Sequence, residues 1–167
     1  DTQTIDLDFS KLELRQILSA EKSLSSNFSG NYIGKPITLN FKVDEFTNKF
    51  GNLGKINLSI SSEPELKTWF VRDLTMFSDD FQLFASGFWK IVEDPKSYPL
   101  LYGEKAEVDE TLKLTEINFR LETDNIQALM DKVGYTGLFG QAEGILSGQL
   151  AWAGNPLNFN LENMYGD

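Results

Sequence analysis

Ile37-Thr38-Leu39-Asn40-Phe41-Lys42-Val43 and Ile56-Asn57-Leu58-Ser59-Ile60-Ser61 alternate apolar and polar side chains without a break. Successive side chains of a strand point to opposite faces, so each run predicts a strand with one apolar and one polar face. The pattern recurs outward in both directions. Ile5, Leu7 and Phe9 alternate with Asp6 and Asp8, and the phase then slips after Ser10-Lys11 to Leu12 and Leu14, the mark of a bulge or bend. Ile117, Phe119 and Leu121 alternate with Asn118, Arg120 and Glu122, and Leu157, Phe159 and Leu161 with Asn158, Asn160 and Glu162. Phe81, Leu83, Ala85 and Trp89 share a face, with Phe84 and Phe88 on the other. Leu146, Leu150 and Trp152 share one face of a glycine-rich run. The run from Trp69 to Leu74 is the least regular, because the adjacent Trp69 and Phe70 must face opposite ways.

These runs predict about eight strands. The turn signals between them are short: Gly51-Asn52, Ser78-Asp79-Asp80 and Gly154-Asn155-Pro156. Short connections and one-faced strands favour an antiparallel meander over parallel crossovers. One helix is expected after Asp124, read as its cap, with Gln127 completing a capping-box spacing. Ile126, Leu129, Met130 and Val133 form its apolar stripe, and Gly134 stands where a left-handed C-terminal cap belongs. So short a helix is marginal alone, so its stripe must lie on the sheet. A second, weaker helical pattern covers Leu18 to Ser25. Ser25 to Lys35 reads as a loop. Ile91 to Glu110, with Pro95, Pro99 and several aromatic residues, reads as a surface loop pinned by those aromatics or as a lid over an apolar surface.

With 167 residues the chain is expected to be a single β-rich segment, residues 1–167. It carries 15 basic and 25 acidic residues, a net charge of −10, which argues against nucleic-acid binding and against docking on anionic headgroups by charge alone. It has no cysteine and no histidine. That removes thiol nucleophiles, disulfides, the commonest general base and the commonest metal ligands. No stretch is apolar for long enough to span a bilayer as a helix, and Asp1-Thr2-Gln3-Thr4 does not begin a signal peptide. Zero cysteine fits either redox compartment.

No motif supplies catalytic chemistry. Gly34-Lys35-Pro36 and Gly54-Lys55-Ile56 lack the rest of a phosphate-binding loop, and glycines 134, 137, 140, 144 and 148 contain no dinucleotide fingerprint. The sequons at Asn27 and Asn57 match by spacing alone. Paired carboxylates would be the remaining catalytic option, at Asp79-Asp80, Asp109-Glu110 or Glu63-Pro64-Glu65, but all fall at predicted turns where solvated charge is the ordinary explanation. Asp6 and Asp8 share a polar strand face on which a calcium site would have no further ligand in view. The expectation is a protein that is not an enzyme and that uses no cofactor or metal.

The apolar face remains to be explained. Eight strands spaced at about 4.8 Å make a sheet nearly 40 Å across, which one short helix cannot cover. Ordinary closure would give a sandwich or barrel. The alternative is a curled sheet or groove whose apolar face stays open and binds something greasy.

Two stretches carry a family resemblance. Thr123-Asp124-Asn125-Ile126-Gln127-Ala128-Leu129-Met130-Asp131-Lys132-Val133-Gly134-Tyr135, and the glycine-spaced run from Gly144 through Trp152 and Pro156 to Leu161, resemble the AsmA-like family of Gram-negative envelope proteins, most closely the C-terminal region of its very large YhdP-type members. Leu7 to Leu14, Ile37 to Phe46 and Phe81 to Trp89 stand in the expected order, so the resemblance spans most of the chain, strongly after about Leu112 and loosely before. Ile91 to Glu110 departs from it, being longer than the short turn expected there. The resemblance implies a piece of a much longer periplasmic protein, anchored in the inner membrane by a helix elsewhere in that parent. Its long β-groove, with adjacent segments of the same chain as partners, would move phospholipid or another acyl-chain lipid towards the outer membrane. The lipid-facing residues would be Ile37, Leu39, Phe41, Val43, Ile56, Leu58, Ile60, Ile117, Phe119, Leu121, Leu157, Phe159 and Leu161. The same residues would be plain core in a closed periplasmic scaffold domain that pairs with neighbouring segments or partner proteins, which is the rival reading.

Overall fold

In a computed structural model, the chain is described at residues 2–15, 35–102, 112–132, 134, 136–137, 140, 142–156 and 164–166. Eight strands form one sheet in chain order: β1 (Gln3–Glu13), β2 (Ile37–Asn48), β3 (Gly51–Glu63), β4 (Thr68–Phe77), β5 (Phe81–Ile91), β6 (Lys113–Thr123), β7 (Gly144–Ala153) and β8 (Met164–Gly166). β1 and β8 are the two edges, so the sheet is open rather than closed into a barrel. It is the mostly antiparallel sheet that the alternation and short turns predict, with one departure. β1 and β2 pair in parallel, Leu7 beside Phe41 and Phe9 beside Val43. A parallel pair needs a crossover of a dozen or more residues, and only the connection from Glu13 to Ile37 among β1–β5 is that long. The described strand beyond β7 is Met164–Gly166, and the expected strand at 157–161 lies outside the described residues, as does the helical pattern at 18–25.

Bulges keep the apolar side chains on one face where strict alternation would lose them. In β4, Ser59 pairs with Asp73 and Ile60 with Val71, so Arg72 is the extra residue. Trp69 and Val71 before it then share a face with Leu74 and Met76 after it, while Phe70 takes the opposite face. This is why Trp69 to Leu74 reads so poorly as a period-two strand. In β2 a second shift, between Val43 and Phe46, lets both residues join Leu53 in a buried cluster with Phe9, Leu12, Leu14, Ile56 and Met76 packed around it.

Two short helices flank the sheet, α1 (Pro99–Tyr102) and α2 (Ile126–Lys132). Asn125 rather than Asp124 caps α2, its side chain accepting from the Ala128 N–H, while the Thr123 hydroxyl accepts from Asn125 N–H. Gln127 donates to Asp131 one turn on instead of closing a capping box. Gly134 has φ +93°, as its C-cap position requires, and abuts the Phe50 ring. The helix is latched across the turn ends of the sheet: Asn48 donates to the Lys132 carbonyl, and the Lys132 ammonium pairs with Asp80 and donates to Ser78.

The described part of the 91–110 segment, through Tyr102, lies against the face opposite the apolar one. Tyr98 stacks with Lys90, whose ammonium also sits over Phe88 on that face. Leu114, on the same face by register, is 1% exposed, and Tyr102 donates its hydroxyl to the Lys113 carbonyl. Of the two readings of this segment, the aromatic-pinned one therefore matches its described half, and no lid over the apolar face is found there. Burial, and secondarily the neighbouring Tyr98, pushes the Tyr102 phenol up to about 12. Its neutral form is thus favoured in the folded state, and the stability this contributes is present below pH 10 and lost as pH rises from 10 towards 12. Tyr102→Phe is expected to shift the denaturation midpoint little more than one hydrogen bond's worth at neutral pH and to flatten the loss between pH 10 and 12 seen in urea titrations.

A backbone test is sharper. A Cβ on Gly87 would lie 2.0 Å from the Glu116 carbonyl oxygen on β6, whereas one on Gly140 would meet nothing within 4 Å. Gly87→Ala is expected to cost about 2 kcal/mol or more in urea denaturation, and Gly140→Ala within about 0.5 kcal/mol.

Candidate functional site

Directly paired residues of a sheet share a face, so the register alone assembles the apolar surface. One line across the strands runs Leu7, Phe41, Leu58, Leu74, Ala85, Phe119 and Gly148. The line beside it runs Ile5, Leu39, Ile60, Val71, Gly87, Ile117 and Leu150. Towards the turn ends a third joins Phe9, Val43, Ile56, Met76, Leu83, Leu121 and Leu146. Thus Ile37, Leu39, Phe41, Val43, Ile56, Leu58, Ile60, Ile117, Phe119 and Leu121 all lie on this face, and Leu157, Phe159 and Leu161 lie outside the described residues.

Burial is uneven across it. At the turn end Val43, Phe46 and Leu53 are buried, and α2 is latched nearby. The two central lines are mostly half-buried, Ile5 is exposed, and Leu146 is 59% exposed. Among the described residues no second sheet covers them. A contiguous apolar surface left this open is what marks a binding face.

The sequence pattern misses one feature of this face. All three tryptophans of the chain fall in a single line of register: Trp69 pairs with Trp89, Trp89 with Thr115 and Thr115 with Trp152. Trp69 and Trp89 stack with ring centroids 5.6 Å apart and planes 2° from parallel. Thr115 between Trp89 and Trp152 is fully buried and donates to the Gly154 carbonyl, and the Trp152 indole donates to the Asn155 carbonyl. The β4 bulge hides this alignment from a reading by alternation, because it sets the phase of Trp69 independently of Leu74. Four phenylalanines face the other way, Phe70 with Phe88 and Phe77 edge-on to Phe84, with Arg72 over Phe70.

Of the acidic residues considered above, Asp6, Asp8 and Glu63 lie on the polar face and Asp80 at the β4–β5 turn. Asp6 accepts from Asn40, which accepts in turn from Ser59, across the floor of a depression of about 300 Å³. Glu63 pairs with Arg72 and Asp80 with Lys132. Asp109 and Glu110 lie outside the described residues. Among the described residues no three acidic side chains converge as metal ligands would, and no helix is long and apolar enough to cross a membrane.

Comparison with known protein families, with curated proteins and with solved structures gives no match. The stacked indole pair offers a direct check of the register on this face. Two indoles held this close and parallel couple their excited states. Trp69→Phe or Trp89→Phe is expected to abolish an exciton couplet in the circular dichroism spectrum, whereas Trp152→Phe leaves the couplet in place.

Proposed function

We propose that this chain is a segment of a non-enzymatic lipid-carrying groove, binding acyl chains along its open apolar face in the periplasm and helping phospholipid pass between the inner and outer membranes. The observation that carries the proposal is the unbroken, half-exposed apolar strip that runs from β1 to β7 with no charged residue in its two central lines. Its resemblance in sequence to the AsmA-like family supports the envelope setting. The physics is that of partition. Each methylene withdrawn from water contributes about 0.8 kcal/mol, so a two-chain lipid hardly leaves the strip for solvent. Movement along the strip exchanges one apolar contact for another and costs little. The opposite face, with Asp6, Asp8, Lys42 and Asp73, stays wetted.

The scaffold reading has its own support in β1, an eleven-residue edge strand with no strand on its outer side among the described residues, which would pair with a neighbouring segment or partner protein. The two readings part on lipid. The purified chain, incubated with vesicles of phosphatidylethanolamine and phosphatidylglycerol and separated from them by size exclusion, is expected to retain phospholipid detectable by mass spectrometry. Leu58→Asp, which puts a charge in a central line, is expected to lower the retained lipid by about tenfold or more, and Asn57→Asp, on the opposite face of the same strand, to leave it unchanged. No retained lipid, or equal loss in both variants, sinks the groove and leaves the scaffold.

A further inference from the structure

The apolar strip ends differently on its two long sides. On the turn side, Val43, Phe46 and Leu53 are buried at the β2–β3 end and the helix α2 is latched to the turns nearby. On the other side it ends at the tryptophan line, and the next register pair outward is Ile91 with Lys113. Lys113 lies two residues from Thr115 on an unbulged stretch of β6, so its side chain alternates onto the apolar face, about 7 Å beyond the tryptophan line.

Several features make this position a suitable holder for an anion. The Lys113 carbonyl accepts from both Gly154 N–H and the Tyr102 hydroxyl, which fixes the backbone from which the side chain springs. Its ammonium has no ion pair or hydrogen bond among the described residues, in contrast to Lys11, Lys67 and Lys132. In the tryptophan line one register pair inward on this face, the indole N–H groups of Trp69 and Trp89 have no acceptor among the described residues, whereas that of Trp152 is spent on Asn155. A lysine stem lies readily along apolar surface while its head stays wet, and indoles favour the boundary between apolar and aqueous surroundings.

We infer that Lys113, at the outer edge of the tryptophan line, holds the anionic end of a bound amphiphile, a carboxylate or phosphate joined to an acyl chain that lies inward over the half-buried Ile117. This inference rests on the acyl-chain reading and adds an orientation to it: polar end at the tryptophan side, where Lys113 stands. Since every tryptophan of the chain stands in that line, intrinsic fluorescence reports occupancy of the site directly.

The test is a fluorescence titration of the chain with palmitate, with hexadecanol (each below its aggregation threshold) and with inorganic phosphate. Palmitate is expected to bind about tenfold more tightly than hexadecanol. Lys113→Gln is expected to bring the two within about twofold while leaving hexadecanol binding intact, which also shows that the variant is folded, and Lys113→Arg to restore the preference. Phosphate alone is expected to give no response. Equal binding of palmitate and hexadecanol by the unaltered chain, or a preference that survives Lys113→Gln, overturns the inference while leaving the acyl-chain groove standing. Saturable binding of phosphate that is lost in Lys113→Gln overturns it in favour of a site for free anions. Failure of both palmitate and hexadecanol to bind overturns the acyl-chain reading and the inference with it.

Discussion

Side chains of a strand change face at every residue, so a slip of one position in any ladder would turn an apolar row of this sheet to the wrong side. Everything distinctive about the protein depends on that register being held across eight strands. The apolar line through Leu7, Phe41, Leu58, Leu74, Ala85 and Phe119 exists only because each pairing is in phase with the next. Where the local sequence falls out of phase, a bulge restores it, at Arg72 in β4 and between Val43 and Phe46 in β2. The close backbone approach at Gly87, which leaves no room for a Cβ against β6, pins the middle of the sheet in the same way.

Holding one face apolar over so wide a sheet creates an unusual surface. Burial of that face is patchy: the Val43 cluster at the turn end forms the nearest thing to a conventional core, and Val71, Thr115 and Trp152 are buried elsewhere on it. A protein of this length has enough apolar side chains to close a sandwich. Instead the aromatic residues are divided between both faces: the tryptophans and Phe41, Phe81 and Phe119 on one, Phe70, Phe77, Phe84 and Phe88 on the other, the latter sharing Arg72 and Lys90 as cationic partners. The division is how a single layer accommodates the phenylalanines of its described strands in a chain with a net charge of −10.

Most of this was legible in the sequence because alternation is a strong signal wherever no bulge intervenes. The strands through Ile37, Ile56, Phe81 and Ile117, and the helix over Ile126 to Lys132, follow directly from it. The parallel pairing of β1 with β2 was not legible, since period-two patterns carry no direction and only the length of the connection hints at it. The cap fell on Asn125 rather than Asp124 because both residue types cap well and only the backbone turn at Thr123 decides between them. The tryptophan line and its flanking Lys113 were invisible for a different reason: they come from four strands, and their alignment depends on the β4 bulge.

The central claim is that acyl chains lie on one face of this sheet and not on the other. A photo-crosslinking residue placed at Phe41, and separately at its neighbour Lys42, in the protein as cells make it, tests that claim most directly. Phe41 stands in the central apolar line and Lys42 on the wetted face of the same strand. The account predicts lipid adducts at Phe41 and none at Lys42. Crosslinks from Phe41 only to other parts of the protein, with no lipid at either position, would contradict it.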